Sequence, residues 1–381
     1  MLAPLGITPA LFAPGTGGVP GTTADPLLGG RVRNRIVRYE QAIAATKGFE
    51  SMVMGLSATE GEAKDWLDCL MYSTVVYGPD AETIWEGALI RVDATFGQEP
   101  QSKALDPMAN RVRCRYTTRL GTPGTTALVN DTASQAIYGV KDTVLSLPGS
   151  TATAALNHAT AELARRKNPM APSTSEVRTG DLGDITVTLY FVGWYDLLRW
   201  LLTSNTSTSS TATTTQVQNL ITSYNSTNNF FSTDFSNVTA SGISDVETIA
   251  PDTPVLSKIE ALLKQGNSGG QRLAWGIYEG RKLTVKPWAG ATPTTTTYQR
   301  YLREGVIRDA AGGVVSPWRI RPDAMYQIVD LLDVAAVSTA ADESARKYVE
   351  RVVCSISSGS VGVSLEPQAS DALDARLARL R

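Results

Sequence analysis

Strict alternation of apolar and polar residues constrains this chain more than any other feature. Residues 110–118 read NRVRCRYTT, with Val112, Cys114 and Tyr116 on one set of alternate positions and Arg111, Arg113 and Arg115 on the other. Successive strand side chains point to opposite faces, so this is a one-sided strand with an outward row of arginines. The same period governs residues 73–97, read as a hairpin about Gly78-Pro79-Asp80. In its second arm Ile90, Val92, Ala94 and Phe96 oppose Arg91, Asp93 and Thr95. Residues 184–202 predict a strand passing into a helix, with Ile185, Val187, Leu189 and Phe191 on one face. Residues 273–288 predict a tight hairpin turning at Glu279-Gly280. Residues 346–367 predict another, turning between Ser357 and Ser360, with Val352, Cys354 and Ile356 inward. Residues 31–39 alternate less cleanly about Val32, Ile36 and Val37, and residues 314–320 and 325–332 are further strand candidates. Repeated one-sided strands with polar outer faces predict an antiparallel barrel or sandwich.

Helices interrupt this pattern at a few marked places. Residues 130–169 predict a helical turn at 134–138, a strand at 140–147, a Pro148-Gly149 break and a helix. Ser150 or Thr151 can cap that helix, and Ala152, Leu156, Ala159 and Leu163 predict its apolar stripe. Arg165, Arg166 and Lys167 suit its C-terminal end, and Asn168-Pro169 stops it. A short helix is expected over 62–70, with Ala63, Trp66, Leu67 and Leu70 on one side. Another is expected over 217–231, with Val217, Leu220, Ile221 and Tyr224 on one side. A third opens at Thr253-Pro254, carries Val255, Ile259, Leu262 and Leu263, and ends at Gly266.

The 381 residues suffice for two or three packed units. The net charge of -2 gives no general attraction for nucleic acid. One histidine (His158) and three dispersed cysteines (Cys69, Cys114, Cys354) exclude paired zinc modules and a disulfide scaffold, and a reducing compartment follows. The N-terminal stretch lacks the basic start and continuous apolar core of a signal peptide. The most apolar later run, 187–202, carries Asp196 and Arg199, so no stable membrane insertion is expected and synthesis is cytoplasmic. Residues 1–30 read as a proline- and glycine-rich arm without a core of its own, either disordered or laid against a neighbour. Residues 203–215, TSNTSTSSTATTT, read as a surface linker.

No catalytic motif emerges, and no cofactor or metal is expected. GTGGVPGTT from Gly15 and GTPGTT from Gly121 lack the lysine and preceding strand of a phosphate cradle. His158 lies one step off its helix stripe with no Cys or second His nearby, so it reads as structural. Asp65/Asp68 and Asp330/Asp333 are helix- or loop-edge acids with no implied pocket between them. A G-x-S-x-G nucleophile elbow is absent. Cys354 reads as core, and the arginine row as solvated or subunit-facing charge.

The order of parts then becomes informative. Ile84-Trp85-Glu86-Gly87 leads into 88–96, followed by Asn110-Arg111-Val112, Ser134-Gln135-Ala136-Ile137-Tyr138-Gly139 and a helix ending in Lys167-Asn168-Pro169. Then come Gly280-Arg281-Lys282-Leu283, the run Val315 through Trp318, Arg319, Arg321 and Asp323, and a closing hairpin over 350–365. Over roughly residues 31–367 this series resembles the tail hub (baseplate hub, tail-associated) proteins of long-tailed bacteriophages and related contractile machines. The resemblance implies an α+β fold of two antiparallel, tail-tube-like β-barrel domains with smaller α/β insertions. On it, residues 1–30 are the arm, 31–128 the first barrel part, 129–182 an α/β insertion and 183–202 a return to the barrel. Residues 203–216 are then the Ser/Thr linker, 217–312 a helical and hairpin insertion, 313–367 the second barrel part and 368–381 a basic helical tail. It also implies a virion structural role as a homotrimer around a channel that DNA only passes through. The implied partners are the tail tube or distal tail protein, the tape measure protein, and spike or fibre proteins. No wall-degrading segment is expected after Pro367. The assembly surface is expected at Arg111, Arg113 and Arg115 and at Trp318, Arg319, Arg321 and Asp323, with the arm before Arg31. The rival readings are another non-enzymatic baseplate or tail-completion protein, and a cell-wall hydrolase.

Overall fold

Strand register decides the architecture. The computed structural model of the chain describes residues 7–24, 35–78, 81–96, 99–169, 185–203, 210–245, 252–287, 296–301, 306–308, 325–331, 346–357 and 360–367. It opens with β1 (Thr8–Pro14) and β2 (Pro20–Ala24), then β3 (Ile36–Ala44) and β4 (Gly48–Ala58). Helix α1 (Glu60–Leu67) leads to β5 (Ser73–Tyr77), β6 (Thr83–Phe96) and β7 (Glu99–Ala104). A second group follows: β8 (Arg111–Thr117), β9 (Pro123–Thr125), β10 (Val129–Asn130), α2 (Thr132–Tyr138), β11 (Asp142–Pro148) and α3 (Ala152–Arg166). The chain returns through β12 (Ile185–Gly193) and the 3-10 turn Trp194–Arg199. Then come β13 (Thr211–Ala212), α4 (Thr213–Asn225), β14 (Ser244–Asp245), α5 (Val255–Lys264) and the hairpin β15 (Leu273–Tyr278)–β16 (Lys282–Pro287). The last described strands are β17 (Thr296–Tyr301), β18 (Val306–Arg308), β19 (Met325–Leu331), β20 (Arg346–Ser357) and β21 (Ser360–Pro367).

The main sheet runs β18-β17-β19-β20-β3-β4-β12-β6-β5-β1-β2, with most neighbours antiparallel. Its centre is the antiparallel set β3, β4, β12 and β6. Val187 lies opposite Leu56 and Ala94, Leu189 opposite Met54 and Val92, and Tyr39 opposite Met54. All of these are buried, so the predicted inward faces of β6 and β12 meet across the register. Ile90 falls at a register shift between β6 and β12, where the alternation of β6 breaks. Before that point both faces of β6 are covered, including Trp85 and Ala88; after it only one is. One edge of β6 pairs with β12, and the other passes from β5 to β7.

Helix α1 forms where a capping box starts it. The Glu62 N–H reaches Thr59 Oγ1 and the Thr59 N–H donates to Glu62 Oε2 at 2.9 Å. It buries Ala63, Trp66 and Leu67 and packs against β6 and β12. The aromatic set Trp194, Trp200, Tyr224 and Phe230 fills the space below the return strand. Its ring centroids lie 6.0 to 6.4 Å from Phe230.

Several expectations change. Thr8–Pro14 pairs in register with β5 and buries Leu11, so this part of the arm is a sheet strand. Leu11 is the apolar side chain that gives it a core to join. The arginine strand β8 is not in the main sheet. It pairs parallel with β11 and antiparallel with β9 and β10 in a separate four-stranded sheet covered by α3. On α3 the buried residues are Ala155, Ala159 and Leu163, while Ala152 and Leu156 are exposed; small methyls let the helix lie close to β8. Thr213 and Thr214, read as linker, are buried in the first turn of α4. The Thr213 hydroxyl meets Ser241 Oγ at 2.7 Å, which satisfies it away from water. Among the described residues the strands follow an open path and no closed barrel forms. The expected strand at 314–320 and the tail at 368–381 lie outside the described residues.

Close backbone approach fixes the end of β12. A Cβ on Gly193 would sit 1.6 Å from the Phe49 carbonyl oxygen, whereas one on Gly61 of α1 would meet nothing within 4 Å. Gly193→Ala should therefore lower stability by about 1–3 kcal/mol through overpacking. Gly61→Ala should be neutral to stabilising by about 0.5–1 kcal/mol from helix propensity. Guanidinium unfolding of both variants checks this, and equal midpoints would refute it.

Candidate functional site

Three constructions concentrate the polar chemistry of the described residues. The first is the outer face of the central sheet. Across the register it presents Ser51, Val53 and Ser57 of β4, Thr186, Thr188 and Tyr190 of β12, Arg91, Asp93 and Thr95 of β6, and Arg38 and Glu40 of β3. Its charges cancel locally. Arg91 grips Asp93 through two bonds of 2.8 Å and stacks over the Tyr190 ring at 5.1 Å, and Arg38 reaches Glu40 at 3.1 Å. The hydrogen bonds and charge of Arg91 offset the burial of the Asp93 carboxyl and hold it below its ordinary range. The result is a broad, hydroxyl-rich, nearly neutral surface.

The second construction is a buried carboxylate. Glu86 lies in the doubly covered half of β6, 7% exposed. Its oxygens accept from the Trp194 indole at 3.0 Å and from the Gly280 N–H at 2.8 Å. Gly280 and Arg281 both take positive φ in the β15–β16 turn, at 68° and 61°. Burial raises the carboxyl pKa above its ordinary 4.5, although both hydrogen bonds and the nearby Arg281 oppose the shift. Glu86 thus pins a hairpin tip 194 residues away onto the core. The signal in the sequence was a lone acid in the run IWEGALI.

The third is the seam between the small sheet and the body. The Asn228 amide pairs with both backbone groups of Val140, accepting from its N–H at 2.7 Å and donating to its carbonyl at 2.8 Å. Asn110 likewise donates to Gly139 O at 2.7 Å and accepts from the Lys141 N–H at 2.8 Å. The Asp142 N–H donates to Trp200 O at 2.7 Å, and its carboxylate accepts from the Leu202 N–H at 3.0 Å. Lys141 Nζ donates to the carbonyls of Leu105 and Asp106 and lies 5.2 Å from the centre of the Trp200 ring. Burial pushes its pKa down to about 8 against the pull of Asp106 and Asp196.

The arginines expected at an assembly surface meet this seam. Arg111 pairs with Asp142, its Nη2 lying 2.8 Å from Oδ2, and Arg113 and Arg115 both pair with Asp252, just before α5. The row is therefore partnered within the chain. Trp318, Arg319, Arg321 and Asp323 lie outside the described residues. His158 is half-buried on α3, Asp68 is paired with Lys103, and Cys354 is buried as expected. The glycine run near Gly15 forms a 3-10 turn (Thr16–Gly18) that packs on α2. A Cβ at Gly139 would lie 2.9 Å from Gly17 O. Among the described residues no cluster of His, Cys, Asp and Glu is placed to hold a metal, and no helix is long and apolar enough to cross a membrane. Asn110, Asn228, Asp142 and Asp252 carry no periodic signal; their roles depend on segments distant in sequence.

No family model matches the chain, and no curated protein matches it. Among solved structures, the chain is similar to a tail protein from Neisseria meningitidis MC58, at TM-score 0.44 and 8% identity over 96% of this chain and 97% of that one. It is also similar to the 43 kDa tail protein of prophage MuSo2 from Shewanella oneidensis, at TM-score 0.42 and 6% identity over 96% and 98%. A third is the E. coli c3393 protein, a type VI secretion component described as structurally similar to the T4 bacteriophage tail proteins gp27 and gp5. There the TM-score is 0.39 and the identity 9%, over 88% of this chain and 74% of that one.

The raised pKa of Glu86 has a definite sign. The folded state holds this proton more tightly than the unfolded chain. The Glu86 contribution to stability is therefore greatest at low pH and falls as pH climbs from about 4.5 through the raised value. Other carboxylates, such as Asp93 and Asp131, are shifted downward and give the opposite slope, so the difference between wild type and Glu86→Gln isolates the effect. That difference should favour wild type most at acid pH and decline toward neutrality in urea titrations. A flat difference would mean that Glu86 is not desolvated.

Proposed function

We propose that this chain is a structural component of a phage-type tail, the hub at the tail tip, acting as a homotrimer around a channel. The observation that carries the reading is the central sheet, packed on one face and broad, hydroxyl-rich and charge-cancelled on the other. Such a face suits contact with neighbours or a lumen through which a polyanion slides without sticking, because fixed positive charge there would bind phosphates. The order of parts along the sequence, from the Trp85 strand to the closing β20–β21 hairpin, supports the same reading. In it the open strand path belongs to two tube-like barrels, with β3 to β7 and β12 in the first and β19 to β21 in the second. The small sheet with α3 is a peripheral α/β insertion. The tail tube or distal tail protein would lie above, the tape measure protein in the channel, and spike or fibre proteins below.

Light scattering of the purified chain, alone and with tail-tube and spike proteins of its own particle, tests this. The expected result is a species three times the 40.7 kDa chain mass that also binds a tail partner. A lone monomer that ignores every tail protein would overturn the reading. Six copies per assembled particle would point instead to another baseplate component.

A further inference from the structure

We propose that the small sheet is a strand-addition interface between copies of this chain. The free edge of β11 in one copy pairs antiparallel with the free edge of β9 in a second copy, Ser146 opposite Thr125. The pairing repeats head to tail, and only its closure into a ring of three rests on the functional reading above.

Both edges of this sheet are open. β11 lies on one side of β8, and β9 and β10 lie on the other. Backbone groups of successive strand residues alternate in direction. Lys141 O accepts from the Arg111 N–H, so residue 141 faces β8 and the Asp142 N–H turns outward, where Trp200 O takes it at 2.7 Å. Val144 and Ser146 continue that outward set, and among the described residues nothing meets their N–H and C=O groups. On the other edge the Thr118 N–H donates to Thr122 O at 2.8 Å and the Thr126 N–H to Cys114 O at 2.9 Å. These bonds turn residues 122 and 126 toward β8 and leave Thr125 facing out, again with no backbone partner among the described residues. Ser146 and Thr125 are both exposed.

Neither edge carries the protection that keeps an open edge unpaired. Charge on an edge strand opposes pairing, as on β7, an edge of the main sheet that carries Glu99 and Lys103. Residues 121–130 and 143–150 contain no charged side chain. Apolar surface gathers here instead. Of the five large apolar side chains exposed among the described residues, Leu120, Leu128, Ile137 and Leu156 belong to this insertion. Leu120 and Leu128 flank β9 at 95% and 48% exposure. An uncharged edge with apolar flanks suits a protein strand rather than a polyanion or a charged ligand.

The two edges fit each other. β11 runs parallel to β8 and β9 antiparallel to it. Rotation about an axis along the strands keeps strand direction, so β11 of one copy meets β9 of the next antiparallel, with α3 on the same face of both sheets. With Ser146 opposite Thr125, Pro148 falls opposite Pro123. The two residues that lack an N–H then face each other, and no donor is left without an acceptor. Pairing two β11 edges over the same stretch would set Val144 opposite Pro148, which has no N–H to give, and would leave Leu128 in water.

Cysteine cross-linking of the full chain tests this, because Cys69, Cys114 and Cys354 are buried and leave only introduced thiols to react. Ser146→Cys and Thr125→Cys are made singly and together, and oxidised. Within one chain β8 separates the two positions by two strand spacings, about 10 Å, beyond disulfide reach. The double variant should therefore link chain to chain, with about half or more of the protein in covalent species that stop at three chains. Each single variant should stay as single chains. Hydrogen exchange of the unmodified protein gives a second readout: the outward amides of Val144, Ser146 and Thr125 should exchange about tenfold or more slowly in the assembly than in the dilute, dissociated chain. Links in Ser146→Cys alone overturn the head-to-tail pairing. A three-chain mass by light scattering without links or protection overturns the edge contact and leaves the hub proposal standing. Links that run past three chains keep the edge contact and overturn the ring of three, and a lone chain with neither links nor protection overturns both.

Discussion

The period-two register of β3, β4, β12 and β6 is the constraint on which the rest depends. Sliding any of these strands by one residue would turn its buried set, such as Ile185, Val187, Leu189 and Phe191 of β12, toward water. With four strands locked in this way, Met54, Leu56, Val92, Ala94, Val187 and Leu189 point to one side of the centre. Helices α1, α4 and α5, the 3-10 turn and the aromatic cluster around Phe230 then share one core. The opposite face is left polar by the same rule, so its openness is a consequence of the register.

Where the chain returns to this sheet from far away, polar groups join the segments. Glu86 holds the tip of the β15–β16 hairpin, and Asn228 stands in for a strand neighbour beside Val140. Buried hydrogen bonds of this kind add little net stability, but an unmade one is costly, so they select one docking geometry from many. The same logic explains the small sheet. Its core is separate, and its seam is made of matched donors and acceptors rather than a continuous apolar layer.

The two kinds of polar construction bear on function differently. A neutral, hydroxyl-rich face offers many weak contacts and no strong one, which suits large surfaces that must fit without trapping what passes. The buried joints, by contrast, are satisfied only where distant segments meet, Glu86 on the β15–β16 tip and Asn228 beside Val140. In the proposed role the sheet face would meet neighbours while the buried joints fix how the segments behind it dock.

Much of the fold was legible in the sequence because alternation and capping are local. The hairpins about Gly78 and Glu279, the β20–β21 turn, the inward face of β12 and the starts of α3 and α5 are written in neighbouring residues. The choice of α3 face was not, because Leu156 and Ala155 are equally consistent with a stripe until the distance to β8 is known. The fate of the arginine row was not legible either. Alternation put Arg111, Arg113 and Arg115 on one face, but it could not say that Asp142 and Asp252, 31 or more positions away, would meet them. Side-chain direction is set by the chain's own geometry within a few residues. What lies opposite is set by which distant segments the core brings together, and that only the tertiary structure decided.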